Sequence, residues 1–226
     1  MTPDVQAALI AIGNAFTANA RKQRIETFNT LNRLAEKKAI ILVGDSLTEG
    51  FPIQEMYRSF IPIYNRGIGG DTTRDVLNRL QVSIFDLEPR KVFLWIGTND
   101  LAVEQGEVIG SIVKRIKEIC GSIHTRLPQT QIYLLSICPV NTTHDPKIQL
   151  QIVANRTNAD IQALNALLKQ LADGMEITYI DLYTPLADSE GSLRIVYTTE
   201  GLHLNAEGYC VVLSILKDFF DDQPAK

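Results

Sequence analysis

The feature that most constrains this chain is an alternation of two periodicities. Five short, mainly apolar runs, Ala39 to Val43, Ile61 to Tyr64, Val92 to Ile96, Ile132 to Ile137 and Ile177 to Ile180, are rich in β-branched residues and bounded by glycine or polar clusters. A strand buried on both faces reads this way, because neither face can afford an exposed polar stripe. The stretches between them change period: Ile161, Leu164, Leu168 and Leu171 recur at helical spacing, and Val76 to Leu80, Val108 to Ile123 and Val211 to Phe220 read likewise. Parallel strands need crossover connections, so strands alternating with helices predict a parallel sheet covered on both faces. Five strands are too few for an eight-stranded barrel. The expected fold is α/β, a three-layer α/β/α sandwich on a five-stranded parallel sheet.

Upstream, residues 5 to 37 contain no proline, and Ile25, Phe28, Leu31 and Leu34 recur at spacing three. This predicts one long helix or two shorter ones packed on the outside. At 226 residues the chain fits one generous domain, so the division expected is a helical extension over 1–38 and a single α/β domain over 39–226.

Composition narrows the function classes. Lys plus Arg number 22 against 26 Asp plus Glu, a net charge of −4, which provides no basic field for a phosphate backbone and argues against nucleic acid. Three scattered cysteines, Cys120, Cys138 and Cys210, and three histidines lack the spacing of a disulfide framework or a zinc site. The expectation is a reducing compartment and no metal. The first residues carry no basic run, and Asp4, Gln6 and Asn14 interrupt the apolar stretch, so neither a signal peptide nor a membrane span is expected and the reading is cytoplasmic.

In an open sheet of this kind, ligands bind beyond the carboxyl ends of the strands. The first run is followed by Gly44-Asp45-Ser46-Leu47-Thr48-Glu49, the second by Asn65-Arg66-Gly67-Ile68-Gly69-Gly70-Asp71, the third by Gly97-Thr98-Asn99-Asp100. The glycine-rich turn lacks a P-loop lysine and the full dinucleotide fingerprint, which argues against a nucleotide. Ser46 reads either as a helix N-cap or as a nucleophile at the strand end. Asn99 reads as a turn residue or as an amide donor to an oxyanion. His203 reads as an ordinary surface or core histidine, or as a base whose second nitrogen is held by Glu200 three residues earlier. Together they supply a nucleophile, oxyanion donors and a His-carboxylate pair at the ends of one sheet.

The ordered segments GDSLTEG, NRGIGGDTT, WIGTND and GLHLNAEGY resemble the SGNH (GDSL-type) hydrolase superfamily. Within it, NRGIGGDTTRDVLNRL followed by VFLWIGTND is most similar to the catalytic subunits of intracellular platelet-activating factor acetylhydrolases. The similarity runs from about Ala39 to Phe220. It implies a flavodoxin-like sheet and a serine esterase that needs neither metal nor other cofactor. It implies that Ser46 is the nucleophile and His203 the base, and that Ser46, Gly70 and Asn99 form the oxyanion hole. Gly70 is preferred to Gly69 because the family's oxyanion glycine directly precedes the aspartate, here Asp71. The family writes Asp-x-x-His, whereas this chain has Glu200 at the third triad position; the alternative is a solvated loop glutamate. Leu47, Thr98 and Leu202 match residues that line a small acyl pocket. The implied activity is hydrolysis of small-acyl esters of a sugar or lipid. Its alternatives are a thioesterase or lysophospholipase with longer acyl preference, or an inactive binding module. The expected partner is a small-molecule ester, with a homodimer left open.

Overall fold

The computed structural model describes residues 3–102 and 109–221. Its single sheet is all parallel and contains β1 (Ile40–Gly44), β2 (Ile63–Gly67), β3 (Lys91–Trp95), β4 (Gln131–Leu135) and β5 (Thr178–Ile180) in the order β2-β1-β3-β4-β5. Because successive side chains point to opposite faces, Ile41, Val43, Val92 and Leu94 enter one apolar layer, and Ile40, Leu42, Phe93 and Trp95 enter the other. Burial of each such side chain stabilises the fold by about 1.5–3 kcal/mol, which is why these runs are apolar on both faces.

Ten α-helices accompany the sheet among the described residues: α1 (Pro3–Leu31), α2 (Ser46–Glu49), α3 (Ile53–Met56), α4 (Thr73–Asn78), α5 (Leu80–Ser83), α6 (Ile109–Arg126), α7 (Leu150–Val153), α8 (Asn158–Met175), α9 (Tyr183–Leu186) and α10 (Ala206–Phe220). Helices α6 and α8 cover the first layer through Ile112, Ile116, Leu164 and Leu168, while α10 covers the second through Val212, Leu216 and Phe220. This is the expected three-layer sandwich with the flavodoxin-like strand order. The chain moves outward from β1 to β2 and then crosses to β3 on the other side of β1. The loops leaving β1 and β3 therefore diverge at that switch point, the place where open sheets of this type bind ligands. Among the described residues no helix is long and apolar enough to cross a membrane.

Several local expectations are corrected. The upstream segment is one helix, but of its expected apolar face only Phe28 is fully buried, against Ile68 and Val82 with Ile25 beside them. Leu31 and Leu34 are 45% and 83% exposed. A strict spacing of three drifts around a helix of 3.6 residues per turn, so nine residues would rotate the stripe by roughly 180°, and the helix also ends at Leu31. Strand β2 starts at Ile63 and includes two polar residues: Asn65 is only half-buried at the sheet edge, and Arg66 is buried with its guanidinium donating to Asn32 Oδ1 at 2.9 Å. The helix expected across Val76 to Leu80 is broken at Arg79, whose side chain turns inward to Asp71 at 2.6 Å. Val108 lies outside the described residues.

Candidate active site

The nucleophile's loop is built by a close approach. A Cβ on Gly44 would lie 2.0 Å from the Trp95 carbonyl oxygen and 2.2 Å from Thr48 Oγ1, so only glycine lets α2 fold back over the end of β1. Asp45 caps α2, its carboxylate accepting the Leu47 N–H at 2.9 Å. The cap role considered for Ser46 therefore belongs to its neighbour. Ser46 is the first residue of the helix, and its Oγ lies 2.9 Å from His203 Nε2. Asp45 is buried, and desolvation pushes its carboxyl up to about 7 against the opposing pull of the Leu47 amide and the Arg156 charge.

His203 sits in a tight loop before α10. Thr198 pairs with Leu204 as an isolated antiparallel bridge, and the Thr198 hydroxyl donates to the His203 carbonyl at 2.8 Å while accepting the Gly201 N–H at 2.8 Å. Asn205 then caps α10, accepting the Gly208 N–H at 3.0 Å. This loop folds Glu200 back toward the ring: Glu200 Oε1 lies 2.7 Å from His203 Nδ1. The Glu200 side chain is 12% exposed, which corrects the solvated-loop alternative for its position. A carboxylate oxygen can only accept, so the proton belongs on Nδ1 and Nε2 is left to accept from the Ser46 hydroxyl.

The loop after β2 separates the two glycines. The Gly69 N–H donates to Glu49 Oε2 at 2.7 Å, and Glu49 is in turn paired with Arg24 of α1 at 3.2 Å. The Gly70 N–H meets no acceptor among the described residues and stays available. Gly70 adopts φ +77°, a region that side chains disfavour. The following residue, Asp71, is buried between Arg21 Nε at 2.7 Å and Arg79 Nε at 2.6 Å. Its carbonyl accepts from Asn99 Nδ2 at 3.0 Å, which ties the end of β3 to the glycine loop. Ser46, Glu200 and His203 thus form one hydrogen-bonded chain, with Asn99 and Gly70 joined through Asp71 on the loop beside it.

Comparison with known proteins gives this constellation a family. Residues 42–211 match the GDSL-like Lipase/Acylhydrolase family. The chain belongs to that family. Platelet-activating factor acetylhydrolase IB subunit alpha2 of Rattus norvegicus is 31% identical over 183 residues, covering 79% of this chain and 74% of the relative. A Streptococcus pneumonia structure, solved as a candidate platelet activating factor, superposes with a TM-score of 0.88 at 31% identity, covering 95% of this chain and 99% of that one. The acetyl xylan esterase AlAXEase shares the fold, with a TM-score of 0.66 at 20% identity over 81% of this chain and all (100%) of that one. As a GDSL acylhydrolase, the protein is an enzyme that acts on ester bonds.

Within this family frame, the three residues matched to the acyl pocket are all buried: Leu47 at 2%, Thr98 at 2% and Leu202 at 5% exposure. Leu47 joins the apolar layer under α10 and Leu202 the layer under α6 and α8, so their side chains belong to opposite faces of the sheet. Sequence reasoning missed the charged residues that brace the acylhydrolase site. Glu49 fixes Gly69, Arg79 joins Asp71 to the Gly44 carbonyl at 2.9 Å, and Arg156 donates to Asn99 Oδ1 at 2.7 Å. Glu49 could have been suspected from its position one turn after Ser46. Arg79 bonds to two backbone carbonyls, of Arg66 and Gly44, and Arg156 to three, of Thr98, Ile152 and Val153, and such partners leave no mark on the sequence.

Proposed function

We propose that this acylhydrolase cleaves small-acyl esters, of acetyl type, on a sugar or lipid alcohol by double displacement. Ser46 Oγ attacks the acyl carbonyl carbon while His203 Nε2 takes its proton. The N–H groups of Ser46 and Gly70 and the free Nδ2–H of Asn99 receive the developing oxyanion, each such donor supplying about 3–4 kcal/mol in the transition state. Collapse expels the alcohol, which leaves with the proton from His203. A water molecule, deprotonated by His203, then attacks the acyl-Ser46 ester, and the acid departs from the regenerated hydroxyl. Glu200 holds the imidazole in the productive tautomer and stabilises its charged form. In this reading 39–226 is the catalytic domain, and 1–38 is an extension that braces the glycine loop through Arg21 and Arg24.

The observation that carries the reading is the unbroken relay of 2.7 Å from Glu200 to His203 and 2.9 Å from His203 to Ser46. The acetyl preference is supported by the name of the rat relative and by the residues matched at Leu47, Thr98 and Leu202. A fluorophosphonate probe followed by peptide mass spectrometry tests it, since only an activated serine reacts quickly. Rapid labelling confined to Ser46 is expected; no labelling in folded protein would contradict the serine mechanism.

A further inference from the structure

Arg156 lies in the short link between α7 and α8 and is 5% exposed. The link turns sharply: Ala154 adopts φ +54°, unusual for a residue with a side chain, and Thr157 caps α8 by accepting the Asp160 N–H. The turn delivers the guanidinium inward, where every nitrogen finds an acceptor. Nη1 donates to the Val153 carbonyl at 2.8 Å and the Ile152 carbonyl at 3.2 Å, anchoring the group to its own loop. Nε donates to the Thr98 carbonyl at 2.9 Å and its hydroxyl at 3.1 Å, and Nη2 donates to Asn99 Oδ1 at 2.7 Å.

The consequence concerns the Asn99 amide, which can sit in two orientations related by a flip. In the observed one, Oδ1 accepts from Arg156 and one Nδ2–H donates to the Asp71 carbonyl at 3.0 Å. Flipping would set Oδ1 against the Asp71 carbonyl and the NH2 group against a guanidinium that can only donate. Two like-signed contacts would replace two hydrogen bonds. With one N–H spent on Asp71, the direction of the other is fixed as well. The planar fork matters, because a lysine at this depth could not serve its own loop, Thr98 and Asn99 at once.

We propose that Arg156 is the positioning residue of the oxyanion hole, holding Asn99 so that its second N–H faces the acyl oxygen bound at Ser46. The proposal rests on the ester-hydrolase reading above. Arg156 does not touch substrate, so its effect passes through Asn99. A merely structural role, pinning the α7–α8 link to the end of β3, would instead act whether or not Asn99 is present.

The test is a double-mutant cycle on p-nitrophenyl acetate, with Arg156→Met and Arg156→Lys made in the wild-type and Asn99→Ala backgrounds and folding followed by urea unfolding. In the wild-type background Arg156→Met should lower kcat about 10- to 100-fold with KM within about threefold, and Lys should recover part of the loss. In the Asn99→Ala background the same change should cost less than about threefold. Equal losses in both backgrounds, or no loss in the first, would overturn the proposal. Should the Met variant fail to fold, the Lys variant completes the cycle. A crystal structure of the wild-type protein phosphonylated on Ser46 gives a reading free of mutation: Asn99 Oδ1 should remain on Arg156 and Nδ2 should meet the phosphonyl oxygen, and an Asn99 side chain detached from Arg156 would count against it. Full turnover by Ser46→Ala would sink the ester-hydrolase reading itself, whereas an additive cycle alongside an inactive Ser46→Ala removes only the role of Arg156.

Discussion

One oxygen of Glu200 holds His203 twice: Oε1 lies 2.7 Å from the ring Nδ1 and accepts the His203 backbone N–H at 2.8 Å. The other oxygen is bound by the Thr199 hydroxyl. The methylene that distinguishes Glu200 from the family's aspartate is thereby absorbed within a single turn of chain. If this carboxylate orients the imidazole and stabilises its protonated form, Glu200→Gln should lower kcat at least about a hundredfold with little change in KM. Steady-state kinetics on a simple ester checks this. Near-wild-type rates would reduce the machinery to a Ser46-His203 dyad.

Acyl length is the second expected discriminator. An open apolar groove would gain up to about 0.8 kcal/mol for each buried methylene, so longer esters would be better substrates. Overfilling a closed pocket costs roughly 1–3 kcal/mol instead. Leu47, Thr98 and Leu202 match residues that line a small acyl pocket in similar acetylhydrolases, which favours the closed case, whereas the packing of Leu47 and Leu202 in opposite apolar layers favours ordinary core roles. Across a panel of p-nitrophenyl esters, acetate and propionate should exceed octanoate in kcat/KM by about ten- to a hundredfold, and Leu202→Ala should move the preference toward longer chains. A steady climb from two to eight carbons would favour a thioesterase or lysophospholipase.

Asp45 should leave a signature in the pH dependence of stability. Burial raises its carboxyl from 3.8 to about 7 in the folded protein, so the folded state holds a proton that the unfolded chain releases near 3.8. The contribution is fully present below that lower value and is lost as pH rises through about 7. Its span is on the order of a few kcal/mol. Asparagine can still accept the Leu47 N–H without carrying the charge. Asp45→Asn should therefore gain stability relative to wild type as pH rises from about 4 to 7 in urea titrations. A difference between the two proteins that stays constant over that range would show that Asp45 does not titrate there.

Much of this architecture is legible in the sequence because burial on two faces forces near-continuous apolar runs, a rule that β1 satisfies throughout and β3 from Val92 onward. The edge strand β2 does not: Asn65 can occupy it because its side chain bonds to the Thr48 carbonyl at 2.6 Å and the Gly67 N–H at 2.9 Å. Ser46, Asn99 and His203 stand out because polar residues after buried strands, or before a capped helix, need a reason. Asp45 hid behind Ser46, since either residue could serve as the cap. Arg156 was invisible for a different reason. Beyond its own loop its partners are Thr98 and Asn99, 58 and 57 residues away in sequence and brought to it only by the crossing of β3 and the α7–α8 link.

The proposed mechanism stands on Ser46 as the attacking group. Turnover of p-nitrophenyl acetate by Ser46→Ala, in protein shown by circular dichroism and urea unfolding to keep the wild-type fold, tests it most directly. A loss of at least about a thousandfold in kcat is expected, because alanine leaves the oxyanion donors and His203 in place but removes the nucleophile. Unchanged turnover in the folded variant would contradict it.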